Sequence, residues 1–200
     1  MIKQKKLAIT GGPSGGKTTL IETLKKEFGQ KISIVPEAAS ILYSGGFPRK
    51  KSFQGKKHVQ RAIYFSQKEL ESLIQLEYPE SMVICDRGSL DSVAYWPAEE
   101  SDFYQNLQTS KDIELQRYEW VLHLDTATFQ DYDTSNPIRT ETYEEAMTLN
   151  EKIKMAWNGH EQRLIIKSDD DFLMKMTKAI QAIKYILNGK SFKEIERILS

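Results

Sequence analysis

A glycine-rich segment near the start of the chain constrains the fold more than any other feature. The apolar run 7–10 is followed by Gly-Gly-Pro-Ser-Gly-Gly-Lys-Thr at 11–18, and a helix-forming stretch then extends to Phe28. A strand, the spacing G-x-x-x-x-G-K-[ST] and a helix, in that order, are the parts of a phosphate-binding P-loop. The segment therefore predicts a site for the phosphates of a nucleoside triphosphate.

Each residue type in this segment has a physical role in holding phosphate. Gly11 and Gly16 allow a tight turn whose N–H groups face an anion, and the helix that follows adds the positive end of its dipole. Lys17 supplies a compact positive charge to the outer phosphates, and the Thr18 hydroxyl is a ligand for Mg²⁺. The predicted nucleotide-binding residues are Gly11, Gly12, Pro13, Ser14, Gly15, Gly16, Lys17, Thr18 and Thr19.

The composition restricts the class and the compartment of the protein. The 28 Lys and Arg residues equal the 28 Asp and Glu residues, so the overall charge does not indicate a nucleic-acid or membrane partner. Cys85 is the only cysteine, which excludes an internal disulfide and suits a reducing compartment. The apolar stretch near the N-terminus is too short for a signal peptide, and no segment approaches ~18 apolar residues. We expect a cytoplasmic protein.

Short β-like runs alternate with longer helical runs, a pattern typical of a parallel sheet covered by helices. The predicted strands are 7–10, 32–36, 82–86, 120–125 and 164–167, all rich in Ile, Val and Leu. The predicted helices are 18–28, 37–43, 56–77, 88–95, 142–157, 170–187 and 192–199. Residues 44–55 and 126–140 fit neither pattern, and we expect functional loops there. The pattern predicts one domain over residues 1–200.

Further polar residues follow the predicted strands, where a parallel sheet presents its chemistry. Glu37 either orients or deprotonates an attacking hydroxyl or is an acidic residue favoured by the helix dipole, and the sequence supports both equally. Asp86 is the predicted partner of Thr18 in holding Mg²⁺, through the water shell of the ion, and Arg87 is placed to meet phosphate oxygens. Asp125 is an alternative metal ligand without such a neighbour. Neither strand ends in the Asp-Glu pair that activates hydrolytic water, which favours transfer over hydrolysis.

A second long loop contains Arg139, in a predicted lid over about 126–142. A cation on a flap that closes over a transferring phosphoryl group offsets charge and excludes water. An exposed loop arginine is also explained as an ordinary solvated side chain. Arg139 is therefore a candidate catalytic residue, together with Lys17, Glu37 and Arg87.

Helix 56–77 carries two stripes at helical spacing. The apolar stripe, predicted to be buried, consists of Val59, Ala62, Ile63, Leu70, Leu73 and Ile74. The polar stripe consists of Gln60, Tyr64, Gln67 and Glu71. The polar stripe is either a wall of an acceptor pocket or an ordinary solvated face, with the solvated face favoured. Trp96, Trp120 and Trp157 are expected to be packing residues.

Four segments together resemble the small P-loop AAA-domain family that includes the ribosylnicotinamide kinase domain. They are 9–19, 35–39, 86–88 with Asp91, and 136–139. The chain is similar, more distantly, to deoxynucleoside and thymidylate kinases. The resemblance implies a three-layer α/β/α sandwich with a five-stranded parallel sheet of order 2-3-1-4-5, an arginine-bearing lid, and Glu37 as base. Gly88 departs from the Glu-Arg-Ser motif of the deoxynucleoside kinases, which leaves the acceptor open.

The sequence therefore favours a kinase that depends on ATP and Mg²⁺ and acts on a small, nucleoside-like acceptor. An ATPase that serves as a nucleotide-dependent switch and a binding module without transfer activity are the alternatives. A kinase requires an enclosed acceptor pocket between 37–55 and 56–77, whereas a switch is expected to have an open surface there. The absence of a guanine-binding Asn/Thr-Lys-x-Asp motif favours adenine.

Overall fold

A parallel sheet of five strands runs through the centre of the described structure. The computed structural model describes residues 5–130, 132, 142–168 and 171–199. Within these ranges the strands are β1 (Lys6–Thr10), β2 (Ile32–Val35), β3 (Met82–Asp86), β4 (Trp120–Leu124) and β5 (Arg163–Ile166). Their spatial order is β2-β3-β1-β4-β5, and every neighbouring pair is parallel. The predicted fold class and strand order are confirmed.

Helices connect the strands and cover the sheet. They are α1 (Lys17–Phe28), α2 (Ala38–Ser44), α3 (Phe53–Glu77), α4 (Asp91–Tyr95), α5 (Glu100–Leu107), α6 (Lys111–Leu115), α7 (Tyr143–Ala156), α8 (Phe172–Leu187) and α9 (Phe192–Leu199). The helix predicted from residue 88 begins only at Asp91. Helices α5 and α6 were not predicted. No helix in the described ranges is long and apolar enough to cross a membrane.

The core lies on both faces of the sheet. Leu7 and Ile9 of β1 belong to a buried cluster on one face, whereas Ala8 belongs to the cluster on the other. This alternation follows from the two-residue period of a strand. Helices α1 and α8 cover the first face with Leu20, Ile21, Leu24, Met176, Ala179, Ala182, Ile183 and Ile186. Helix α7 covers the second face, and the sheet is therefore buried between two helical layers.

The polar stripe of α3 is buried, which corrects the favoured prediction of a solvated face. Its members Gln60, Tyr64, Gln67 and Glu71 are all buried. Leu73, predicted to be inside, is instead 52% exposed. Glu71 is paired with Lys6 at 2.7 Å and with Arg117 at 2.6 Å. A buried carboxylate is tolerated only where it is paired and hydrogen-bonded, and these two cations, which are distant in sequence, satisfy that condition for Glu71.

Candidate active site

A cleft of about 490 Å³ opens at the carboxyl edge of the sheet. Its walls come from the P-loop, the beginning of α2, the segment after β3 and the inner side of α3. Lys17, Glu37, Asp86 and Arg87 all line the cleft. These residues meet because β1, β3 and β2 are neighbours in the sheet, so the segments that follow the three strands lie side by side.

The P-loop fits an anion at the start of α1. Pro13 to Thr19 line the cleft, and no side chain caps α1, whose first turn contains no acidic residue. The N–H groups of such a helix start are free to bind phosphate oxygens. Gly11 has a φ of +129°, and a Cβ there would lie 1.9 Å from the carbonyl oxygen of Leu124. Only glycine satisfies both constraints at this position.

The ammonium group of Lys17 rests on the P-loop itself. Its Nζ donates to the carbonyl oxygens of Gly11 at 2.9 Å and Gly12 at 2.6 Å. Burial, followed by repulsion from Arg87, lowers the pKa of Lys17 to about 7. A bound phosphate supplies the negative charge that favours the protonated form of this amine. The ammonium of Lys17 at the start of α1 is therefore suited to an anionic ligand.

Glu37 and Arg87 form an ion pair in the cleft. Arg87 Nε donates to Glu37 Oε1 at 2.5 Å, and the Ser40 hydroxyl donates to the other carboxylate oxygen. Glu37 occupies the N-cap position of α2, but its side chain makes no capping hydrogen bond. Burial raises the pKa of Glu37, while Arg87 and Ser40 lower it, and the net shift is downward. The carboxylate is thus ionised and directed into the cleft.

Arg87 is held in an unusual backbone conformation by its surroundings. Its φ is +72°, in the left-handed region that non-glycine residues rarely adopt. The Arg87 N–H donates to the Ile9 carbonyl at 3.0 Å, and its own carbonyl accepts from Gln67 Nε2 at 3.1 Å. The guanidinium Nη1 also donates to Asp91 Oδ2 at 3.1 Å. These contacts fix the guanidinium between the carboxylates of Glu37 and Asp91.

Trp157 supports this arrangement from the far end of α7. It is fully buried, as expected for a packing residue, but its Nε1 also donates to Asp91 Oδ1 at 2.7 Å. A Cβ at Gly88 would lie 2.5 Å from a ring carbon of Trp157. The indole therefore occupies the space that a serine side chain at residue 88 would need, which explains the departure from the Glu-Arg-Ser motif. No local sequence pattern indicates that Trp157 donates a hydrogen bond to Asp91.

Two oxygen donors suitable for Mg²⁺ face the same cleft. Asp86 ends β3 and Thr18 lies in the first turn of α1, and both line the cleft. Carboxylate and hydroxyl oxygens are the hard ligands that Mg²⁺ prefers, and this ion usually keeps several of its waters. Burial, with a smaller contribution from Glu37, raises the pKa of Asp86 to about 6. The described residues contain no cluster of three or more His, Cys, Asp or Glu suited to an all-protein metal cage.

Asp125, the alternative metal ligand, is already paired and does not line the cleft. It forms an ion pair with Lys154 at 2.7 Å and accepts from Asn150 Nδ2 at 2.9 Å. Asn150 Oδ1 in turn accepts from the N–H of Gly12 at 3.0 Å. His123, buried beneath, lies 3.3 Å from Asp125. Asp125 and Asn150 therefore brace the P-loop from behind.

Asp125→Asn is expected to lower the free energy of unfolding by about 1–3 kcal/mol at neutral pH, because Lys154 loses the nearer of its two charged partners and keeps only Glu151. Burial raises the pKa of Asp125, but hydrogen bonds from His123, Asn150 and Lys154 bring it well below its usual value of 3.8. A carboxylate with a lowered folded-state pKa stabilises the protein above its unfolded pKa and loses this effect as the pH falls. The difference between wild type and variant should therefore shrink below about pH 4.

Urea unfolding of both proteins at about pH 3 and about pH 7 measures this difference. Asp112→Asn, at an exposed position of α6, is the matched control and should change stability by less than about 0.5 kcal/mol at either pH. A loss for Asp125→Asn that is equal at the two pH values would contradict the assigned pairing.

Arg139 and most of the predicted lid over 126–142 lie outside the described residues. The catalytic role of Arg139 stays a prediction. The other candidate catalytic residues, Lys17, Glu37 and Arg87, lie together in the cleft.

The P-loop after β1, on a parallel sheet of this strand order, defines a P-loop nucleotide-binding domain. The chain belongs to a family of AAA domains, because the sequence model of that family matches residues 6–172. No curated protein sequence matches it significantly. Among solved structures, a deoxyadenosine kinase from M. mycoides with bound dATP is similar, with a TM-score of 0.60 and 14% identity, covering 90% of this chain and 100% of that one. At this identity the likeness shows a common fold.

Proposed function

We propose that the protein is a kinase that uses ATP and Mg²⁺ and transfers the γ-phosphoryl group to a small, nucleoside-like acceptor. The observation that carries this proposal is the Glu37–Arg87 pair, which lies in the same cleft as Lys17. Glu37 is able to orient a hydroxyl, and Arg87 is able to stabilise the charge of a phosphoryl group. Both thus face the proposed triphosphate site. The kinase likeness of the fold is consistent with this chemistry.

The triphosphate end of the cleft is assigned to the P-loop. The N–H groups at the start of α1 and the ammonium of Lys17 bind the β- and γ-phosphates, which displaces the lysine from the loop carbonyls. Thr18 and Asp86 would hold Mg²⁺, which supplies neutralisation of phosphate charge when it is bound. Arg139 is proposed to close over the γ-phosphoryl group from the lid.

The transfer step is assigned to Glu37, at the start of α2, and to Arg87, which follows β3. The acceptor hydroxyl oxygen forms a bond to the γ-phosphorus while the bond to the β–γ bridging oxygen breaks, and ADP leaves. Glu37 orients the hydroxyl and receives its proton. Because the pKa of Glu37 is lowered, this carboxylate is a weak base and the proton moves late, as suits the loose transition state of phosphoryl transfer. Arg87 offsets the charge on the transferring group.

The acceptor end of the cleft favours a kinase over a nucleotide-dependent switch. Tyr43 and Arg49 from the 37–55 segment face Gln60 and Ile63 of α3 across the cleft. A pocket between these two segments is the feature that a kinase requires, whereas a switch is expected to have an open surface there. Gln60 and Gln67 thus form part of the wall of the proposed acceptor pocket.

The direct test is phosphoryl transfer from γ-labelled ATP to a panel of nucleosides, nucleotides and vitamins. We expect labelled product with at least one acceptor, and we expect the transfer to be lost in Lys17→Ala. Label released only as inorganic phosphate, at a rate that no acceptor changes, would instead support the ATPase. Binding of ATP without turnover under any condition would support the binding module.

A further inference from the structure

The acceptor end of the cleft contains an arginine that has no ion pair within the described part of the chain. Three cations line the cleft among the described residues: Lys17, Arg49 and Arg87. Lys17 rests on two carbonyl oxygens, and Arg87 lies between Glu37 and Asp91. Arg49 forms no ion pair with any described acidic side chain. As far as the described residues go, the charge of Arg49 is available to a ligand.

The position of the Arg49 guanidinium is set by Tyr43. The guanidinium carbon lies 4.1 Å from the centre of the Tyr43 ring, and both side chains line the cleft. A guanidinium over an aromatic face can still donate from N–H groups that point away from the ring. An arginine oriented in this way is suited to a phosphate or carboxylate, which it binds with two parallel hydrogen bonds.

The surrounding segment is basic, although the whole chain has a formal net charge of zero. Residues 38–68 contain seven Lys and Arg residues and no Asp or Glu. Lys57 of this segment is paired with Asp102, and Arg61 donates to the carbonyl of Asn106. The exposed cations that form no ion pair with a described acidic side chain are Arg49, Lys50, Lys51 and Lys56. Such a one-sided charge distribution attracts anions to the mouth of the cleft.

We propose that the acceptor carries a phosphate group of its own and that Arg49 binds this group. This inference rests on the proposed kinase function and narrows its substrate class from a nucleoside-like metabolite to a phosphate monoester. Arg87 is not assigned to that group, because its ion pairs with Glu37 and Asp91 hold it beside the proposed site of transfer. The acceptor phosphate at Arg49 anchors one end of the molecule, and the reacting oxygen at the other end lies toward Glu37.

Binding measurements test the substrate class without depending on turnover. The P-loop is first saturated with ADP and Mg²⁺, so that the added probes bind only the acceptor end. The probes are nucleosides, riboflavin and sugars, each compared with its own phosphate monoester by calorimetry. We expect at least one phosphate monoester to bind about 10- to 100-fold more tightly than its unphosphorylated counterpart. The proposal is overturned if no pair in the panel shows this preference.

Two variants locate the phosphate contact. Arg49→Gln should abolish the preference for the phosphate monoester and leave the affinity for ADP and for the unphosphorylated probe unchanged. Lys51→Gln is the matched control, because Lys51 belongs to the same exposed basic segment but does not line the cleft. An undiminished preference in Arg49→Gln overturns the assignment. The assignment is also overturned if both variants lose the preference equally and the wild type binds a single-stranded oligonucleotide more tightly than it binds the phosphate monoesters. That result would indicate a nucleic-acid surface.

Failure of this inference and failure of the kinase proposal give different results. If nucleosides are phosphorylated and their monophosphates are neither bound nor used, the kinase holds and the role of Arg49 is wrong. If phosphate monoesters bind in an Arg49-dependent manner and no transfer occurs, the subsite holds and the kinase is wrong.

Discussion

Glu37→Gln should lower the rate of phosphoryl transfer by about 10²–10⁴-fold while the affinity for ATP changes by no more than a few-fold. Glutamine keeps the size of the side chain and one acceptor oxygen, but it cannot receive a proton. The fold should survive, because Arg87 keeps its contact with Asp91 at 3.1 Å. The partly buried pair with Arg87 is lost, and we expect a decrease of about 1 kcal/mol in the free energy of unfolding.

Single-turnover transfer and thermal melting, measured on the same preparations, separate the two roles of Glu37. Glu69→Gln, at an exposed position of α3, is the control and should leave both quantities unchanged. If Glu37→Gln loses turnover only when an acceptor is present and keeps its slow background hydrolysis, transfer is favoured over the switch. If the variant turns over normally and melts at a lower temperature, Glu37 is a structural residue at the start of α2 and the mechanism fails.

The sheet and the clustering of the candidate site residues were predictable because they depend on local patterns and one topological rule. Unbroken apolar runs indicated the strands, and the P-loop spacing placed the proposed phosphate site after β1. The strand order then brings Glu37, which follows β2, beside Asp86 and Arg87, which end and follow β3. No tertiary detail beyond that order was needed to place these side chains in one cleft.

The supporting contacts were not predictable, because their partners are far apart in the chain. The buried Glu71 of α3 is paired with Lys6 and Arg117 and accepts a hydrogen bond from the Tyr118 hydroxyl. Asp91 receives a hydrogen bond from Trp157, and the P-loop N–H of Gly12 donates to Asn150, which lies in α7. Helical periodicity in α3 or α7 carries no information about these partners. A buried glutamate and a solvated glutamate have the same local sequence pattern, and only the position of the opposing cation distinguishes them.

Lys17→Ala should weaken ATP binding by about 10- to 100-fold, since a charge-assisted contact to the phosphates is removed. Stability should change little, because two effects of the substitution oppose each other. The carbonyls of Gly11 and Gly12 lose the donor that they share, which is unfavourable. A desolvated ammonium, whose pKa burial lowers to about 7, also disappears, which is favourable.

Calorimetric titration with ATP and thermal melting of the same proteins measure both consequences of Lys17→Ala. Lys26→Ala is the matched control, because Lys26 lies in the same helix with its side chain exposed. Its ATP affinity and melting temperature should equal those of the wild type. Lys17→Arg keeps the charge but replaces a compact ammonium by a planar guanidinium, so we expect an intermediate affinity. Unchanged ATP affinity in a folded Lys17→Ala protein would refute the P-loop as the triphosphate site, and with it the kinase reaction proposed for this cleft.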